Sequence, residues 1–448
     1  MVNVIVADVK HDCSHLLGQF ADESNYDILI ESDTDCYMPP LCDILQKSNC
    51  IQTCNSCDKG KDERRIAFKF RKNYFSKEEQ EQAYLGLREA ANISFNRGFA
   101  AGPIDPELDG RMWVTDYEYD VLDYFLDPVD NLYGDDPIED LRIKYSNKPV
   151  VFSTQRSKTW LSAKLKKENF VFDEWVDRIK NKPIEERKVE ANYVATKLIA
   201  STSYASATRS GIAGWFGRYT RIPYGRATSY TRDNYEKFAM SFPFLQTLSK
   251  GFKELLPWRY NNQKLISEKI DQGYLVPGTV FTTITVNKTF RTACHYDAGD
   301  YSDGLSNLLV LSNNGNYTGG YLIFPEYRIA VNVRPGDLLL VNNHEVMHGN
   351  TEIILGDETA ERVSLVCYFR ENMLELGSVE YEECRYNFIE SRRTNKNHPK
   401  QRPLWNGISP GLFLSQEWYD YCEKKLGRVE LEKYHPEAIQ GSTLDGFF

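Results

Sequence analysis

From Pro277 onward the chain falls into short runs in which β-branched or aromatic residues alternate with polar ones: TVFTTITVN, TACHYD, LSNLLVLS, GGYLIFPEY, IAVNVRPGDLLLVN and RVSLVCYFR. The turn formers NNGN, TGG and RPGD divide them. A period of two between turn signals predicts strands, and about 100 residues suffice for roughly eight of them in an antiparallel sandwich or barrel. Upstream the texture differs. IAFKFRKNYF, from Ile66, predicts a strand. Ser76 followed by Glu79 is a capping-box pair that starts a helix through EEQEQAYLGLREAANISF, and Gly98, Gly102 and Pro103 end it. Helical spacing returns in FDEWVDRIKNKPIEERKVEANYVATKLIA and in FPFLQTLSKGFKELLPWRYNNQKLISEKI, the second broken at Pro257. Between them lies TRSGIAGWFGRYTRIPYGRATSYTR, whose glycines forbid a long helix. The tail after about residue 376 holds a basic loop, SRRTNKNHPKQRP, and a helix, SQEWYDYCEKKLG.

These boundaries predict four parts: an acidic N-terminal α+β region with a Cys-rich start (1–150), a basic, mainly helical segment (151–272), the strand-rich core (273–375) and the C-terminal loop and helix (376–448). Composition sharpens the division. Residues 1–150 carry 16 Lys and Arg against 29 Asp and Glu, while residues 151–272 carry 22 against 12, so a basic middle hides within a formal net charge of -10. Such a middle can meet a polyanion. With 448 residues, 41% of them hydrophobic and 26% charged, wholesale disorder is excluded. No stretch approaches the roughly 18 apolar residues of a membrane span, and MVNVIVADVKHDCSH lacks the form of a secretory signal. The expectation is a soluble intracellular protein, cytoplasmic or nuclear, with no membrane partner.

Six of the ten cysteines fall in the first 57 residues, and Cys50, Cys54 and Cys57 spell C-x3-C-x2-C. That spacing also holds iron–sulfur clusters, but no alternating strand and helix series follows it to build a barrel. A structural zinc held by these thiolates, joined by His11 or His15, suits the chemistry better; unliganded thiols in a reducing interior are the simpler reading.

Of seven histidines, three sit in the strand-rich segment. His295 and Asp297 form an H-x-D pair, which strand alternation places on one face. His348 would add a third ligand. Two imidazoles and one carboxylate leave three open positions, as a non-heme Fe(II) oxygenase needs to bind a chelating cosubstrate together with O2. His344 to His348 also reads H-E-V-M-H, a zincin motif, yet that motif needs a helix, and RPGDLLLVNN predicts a turn and a strand. Downstream, Arg362 and Ser364 share a strand face. A guanidinium fork with an adjacent hydroxyl suits the distal carboxylate of 2-oxoglutarate. The segment from Arg209 to Arg232 interleaves five arginines with Trp215, Phe216, Tyr219, Tyr224 and Tyr230 and contains no acid until Asp233. This is chemistry that holds phosphates and stacks on bases, or that pins a loop to its core.

Together, TVFTTITVNKTFRTACHYDAGD, GGYLIFPEYRIAVNVRPGDLLLVNNHEVMHGNT and ERVSLVCYFR resemble the TET/JBP family of Fe(II)/2-oxoglutarate dioxygenases, over about residues 205–375. The resemblance implies an α+β fold with a double-stranded β-helix core of jelly-roll or cupin type, flanking helices and a separate N-terminal region. It implies iron ligands His295, Asp297 and His348, with Arg362 as cosubstrate anchor and Ser364 as its helper. The implied reaction is hydroxylation of the 5-methyl group of thymine or 5-methylcytosine in DNA, on a base flipped from the duplex. Arg218, Arg221, Tyr224 and Arg226 are then candidate DNA contacts. Asp300 stands where cytosine-acting members carry Asn; its carboxylate can accept from thymine N3–H or from the cytosine amino group, or can simply cap a turn. The alternatives are the same cofactor chemistry on a protein side chain, a free nucleotide or another small molecule, and ascorbate in place of 2-oxoglutarate.

Overall fold

The computed structural model describes residues 2–7, 9–38, 65–92, 97–102, 209–219, 222–394, 413 and 415–436. Fifteen strands fall among these: β1 (Asn3–Val6), β2 (Ile28–Ile30), β3 (Thr34–Tyr37), β4 (Ile66–Arg71), β5 (Ser210–Phe216), β6 (Arg226–Ala227), β7 (Thr283–Lys288), β8 (Ser306–Ser312), β9 (Tyr317–Gly319), β10 (Leu322–Phe324), β11 (Ile329–Val331), β12 (Leu338–Val341), β13 (Gly349–Asn350), β14 (Ile353–Leu355) and β15 (Arg362–Tyr368). A nine-stranded sheet runs β1-β3-β4-β12-β8-β15-β7-β5-β6, a four-stranded sheet runs β13-β10-β11-β2, and β14 pairs with β9. The helices are α1 (Lys77–Leu87), α2 (Ser229–Asp233), α3 (Tyr235–Met240), α4 (Phe242–Leu255), α5 (Pro257–Ser267), α6 (Val379–Thr394), α7 (Gln416–Leu426) and α8 (Arg428–Tyr434).

The nearly unbroken apolar strands LSNLLVLS and DLLLV are explained by burial on both faces. Leu309, Leu311, Leu338, Leu340, Val363, Leu365 and Cys367 join a core with Leu87 of α1 and Leu245, Leu248 and Phe252 of α4. Their neighbours Leu308, Val310, Leu339 and Val341 pack instead with Leu322, Phe324, Ile329 and Val331 of the smaller sheet. The period of two thus sorts alternate residues into a helix-facing and a sheet-facing core, giving three layers. On β15 the sheet-facing positions are Arg362, Ser364, Val366 and Tyr368, the polar exception that opens a cavity between the sheets.

The mixed α+β class agrees with expectation, and so do the Ser76/Glu79 capping box and the break at Pro257. Two expectations need correction. The described part of the N-terminal region is not separate: β3 and β4 continue the large sheet beyond β12, and β2 pairs with β11. Without them β12 and β11 would be open edges, and strands of three to six residues are too short to build a core of their own. The segment 151–272, expected to be mainly helical with an Arg/aromatic loop, also contributes a strand, because SGIAGWF is β5, paired with β7. Gly214 holds φ +95° there, and a Cβ would lie 2.3 Å from the Thr282 carbonyl oxygen, so the glycine that argues against helix is what lets this strand approach its neighbour. Residues 103–208, with the first of the two long helical patterns, lie outside the described residues.

Candidate functional site

His295 and His348 exchange both backbone hydrogen bonds, at 2.9 and 3.0 Å, in an isolated antiparallel bridge, which sets their rings 4.3 Å apart between centroids. The H-x-D pair therefore lies on a bridged extended segment rather than on a full strand. Asp297 is held from the other side: its N–H donates to Asn343 O (3.0 Å), and Asn343 Nδ2 donates to its Oδ2 (2.9 Å). His295 Nε2 is 3.3 Å from Asp297 Oδ1 and His348 Nε2 is 3.8 Å from Oδ2. One ligand atom from each of the three residues lies within 4.8 Å of the others.

The tautomers follow from the outer hydrogen bonds. His295 Nδ1 faces Ala293 O (2.8 Å) and His348 Nδ1 faces Val346 O (3.1 Å). A carbonyl only accepts, so Nδ1 carries the proton and the Nε2 lone pair is left toward Asp297. Burial, and then the neighbouring His295, push the His348 pKa down to about 4. Burial acts to raise that of Asp297, but its polar contacts with the two imidazoles and with the Asn343 amide outweigh it and hold the carboxylate well below its ordinary range. Two lone pairs and an anion converging on one point suit a divalent cation. His344 lies in an exposed turn outside this cluster, with no helix under H-E-V-M-H.

The triad opens into a cavity of about 910 Å³ lined by Arg362, Ser364, Val366, Tyr368 and Arg370, alternate residues running along and just past β15. Arg362 is 1% exposed. Its Nη2 donates to Gly320 O (3.1 Å), its Cζ lies 5.9 Å from the Tyr317 ring centre, and its Nε has no acceptor. The Tyr317 hydroxyl is likewise buried and without a partner. Two orphaned groups at a buried, charged guanidinium fit the carboxylate of a small diacid. Asp300 also lines the cavity, buried, accepting from Ser306 Oγ (2.6 Å). Burial, followed by the charge of Asp297, raises its pKa well above the carboxylate norm.

The Arg/aromatic segment divides. Arg226 lines the cavity. Arg218 does not; it ion-pairs with Glu382, whose carboxylate also accepts from Gly225 N (2.6 Å) and Gly377 N (2.9 Å). Tyr224 is buried in a C-terminal cluster with Phe388, Trp418 and Leu431. Both were expected to face DNA; instead they pin the segment to α6 and α7, because a buried carboxylate and an aromatic core claim them first. Arg221, Cys50, Cys54 and Cys57 lie outside the described residues.

The sequence reading missed three cavity or support residues. Arg97 and Arg370 line the cavity; for Arg370 the alternation from Arg362 through Tyr368 was an available signal. Glu326, 3% exposed, accepts from Tyr296 Oη (2.7 Å) and Met347 N (2.9 Å) and pairs with Lys10 (3.2 Å). It thereby ties the segment between His295 and Asp297 to the residue before His348. Nothing local in P-E-Y announces this.

Residues 218–371 match the family model Tet_JBP, described as the oxygenase domain of the 2OGFeDO superfamily. The chain is 36% identical over 184 residues to the bifunctional helicase and thymine dioxygenase JBP2 of Leishmania infantum, a match covering 40% of this chain and 16% of that protein. It is 32% identical over 245 residues to the thymine dioxygenase JBP1 of Trypanosoma brucei brucei, covering 49% and 28%. The chain thus spans less than a third of the length of these relatives. Among solved structures, NgTET1 in complex with 5mC DNA aligns with TM-score 0.34 at 17% identity, over 46% of this chain and 75% of that one.

Proposed function

We propose, from the match of residues 218–371 to the Tet_JBP oxygenase domain, that the chain is an Fe(II)- and 2-oxoglutarate-dependent dioxygenase hydroxylating the 5-methyl group of a pyrimidine, thymine or 5-methylcytosine, in DNA. The two sheets facing one another across the cavity are then the double-stranded β-helix core. The observation that carries the reading is the convergence of His295, Asp297 and His348 in the same cavity as a buried arginine whose Nε has no acceptor.

When bound, iron with 2-oxoglutarate and O2 supplies oxidising power that no side chain has. The chain's own residues do the rest. His295, Asp297 and His348 hold the metal, and the Ala293 and Val346 carbonyls fix both imidazoles in the ligating tautomer. Arg362, with Ser364 beside it, holds the distal carboxylate of the cosubstrate so that its other end reaches the triad. Asp300, three residues beyond Asp297 and held by Ser306, addresses the edge of the base. The apolar wall from Leu308, Leu322 and Val366 keeps water from the reacting methyl group. Both curated relatives described above are named thymine dioxygenases, which favours thymine. No helix among the described residues is long and apolar enough to cross a membrane.

The test is 2-oxoglutarate turnover to succinate in the presence of Fe(II) and oligonucleotides that differ only in the 5-methyl group. Thymine or 5-methylcytosine should accelerate succinate release, and uracil or cytosine at the same positions should not. Equal turnover with all four would remove the methyl group from the account.

A further inference from the structure

Arg362 stands at one end of the pocket-facing row of β15 and Arg370 lies eight residues further on. At about 3.3 Å per residue the two are on the order of 26 Å apart along the chain. A five-carbon diacid anchored at Arg362 is far too short to reach the second arginine. The cavity therefore has two basic poles, and the cosubstrate occupies only one.

At the second pole Arg370 is not alone. Its Cζ lies 5.4 Å from the ring centre of Phe216 and 5.6 Å from that of Tyr219; the Arg226 Cζ lies 5.1 and 5.7 Å from the same two rings. Two guanidinium groups thus share one pair of aromatic rings, although like charges repel. Neither forms an ion pair with a carboxylate among the described residues. Arg370 reaches only the Tyr368 hydroxyl, at 3.5 Å, and Arg226 Nη1 is buried with no partner at all. Burial, and the charge of Arg370, depress the Arg226 pKa. Tyr219 is 39% exposed, which puts this pole at the cavity mouth. Arg218 is the contrast, its guanidinium paired with the buried carboxylate of Glu382. This pair has the forks and no carboxylate at ion-pairing distance among the described residues, Asp300 acting on Arg370 only at longer range.

We propose that Arg226 and Arg370 grip a phosphodiester flanking the extruded pyrimidine, with Phe216 and Tyr219 holding both guanidinium planes in place. The assignment rests on the DNA reading above and adds to it the subsite that holds the nucleotide at the mouth. The fork geometry of arginine matches two phosphate oxygens, whereas a base edge alone would leave the charge of both groups unanswered.

The experiment uses an oligodeoxynucleotide with one methylated pyrimidine, in which the phosphate on its 5′ or 3′ side is replaced by an uncharged methylphosphonate. With wild-type protein one of the two replacements should weaken binding by about 10- to 100-fold, as expected for loss of charge-assisted hydrogen bonds. In the double variant Arg226→Gln, Arg370→Gln the same replacement should change affinity less than about twofold, while 2-oxoglutarate affinity stays at the wild-type value and so reports an intact fold. Arg226→Lys, which keeps the charge and loses the fork, should fall between. A double variant as sensitive to the methylphosphonate as the wild type would overturn the assignment, and so would loss of 2-oxoglutarate affinity in that variant with DNA binding unchanged. If the wild type neither binds nor oxidises the unmodified oligonucleotide, the DNA reading fails and takes this subsite with it.

Discussion

Replacing Arg362 by Met keeps most of the side-chain stem and removes the charge at the deep end of the cavity. In the wild type the guanidinium is 1% exposed, donates to Gly320 O at 3.1 Å and offers its Nε to nothing. Breaking a buried charged pair costs about 3 to 5 kcal/mol. At about 1.4 kcal/mol per tenfold, the variant should bind 2-oxoglutarate roughly two to four orders of magnitude more weakly. Thermal melting with Mn(II) in place of iron reads this directly. A ligand at 100 times its Kd stabilises the wild type by about 2.7 kcal/mol; at that same concentration a variant with 1,000-fold weaker affinity gains only about 0.1 kcal/mol. The ligand-free variant should be no less stable than the wild type, because an isolated buried charge has been removed. Cosubstrate affinity within tenfold of wild type would show that Arg362 does not anchor the diacid, and a ligand-free variant that melts like one with a cavity in its core would show that its charge is not an isolated one.

Glu326→Ala should weaken metal binding by about 10- to 100-fold in a Co(II) absorption titration, and Glu326→Gln, which can still accept from Met347 N, should restore most of it; unchanged affinity in the Ala variant would make Glu326 a bystander. Arg218→Ala removes the nearer of two cations at the buried Glu382, with Arg385 Nε still 4.0 Å away, and should lower unfolding free energy by about 1.5 to 3 kcal/mol in urea titrations, with the salt dependence of DNA binding unaltered. Lys288, Tyr84 and Arg88 converge on Glu361 at 2.7, 2.6 and 2.8 Å, and their hydrogen bonds outweigh burial to lower its pKa from 4.5 to about 2. Its folded value being the lower one, its stabilising contribution is complete above about pH 4.5 and is lost as pH falls toward 2. The Tm advantage of wild type over Glu361→Gln should therefore shrink below pH 4.5, and a constant gap would contradict this.

What could be read from the sequence was what has a short period or a fixed spacing. Alternation in LSNLLVLS and RVSLVCYFR placed strands, and the H-x-D spacing put His295 and Asp297 within reach of one metal, whereas His348 joins them only through a bridge between distant segments. The attachment of β2, β3 and β4 was not readable, since a strand pairs with whatever edge is open and that edge lies some 300 residues away in β11 and β12. Charge alone could not sort the Arg/aromatic segment either. Arg218 and Arg226 look alike in GRYTRIPYGR, and only the buried Glu382, 164 residues on, separates a structural arginine from one that faces the cavity. Glu326 escaped for the same reason, being joined to both ligand segments across 30 and 21 residues.

The proposed chemistry is oxidation of a pyrimidine methyl group in DNA at the His295–Asp297–His348 centre. Nucleoside mass spectrometry of thymine- and 5-methylcytosine-containing DNA, after incubation with the protein, Fe(II) and 2-oxoglutarate in air, tests it most directly. One of the two nucleosides should gain a single oxygen atom, only when metal and cosubstrate are both present, and not with His348→Ala. Nucleosides unchanged in mass beside a protein that consumes 2-oxoglutarate, or a product formed equally by His348→Ala, would contradict it.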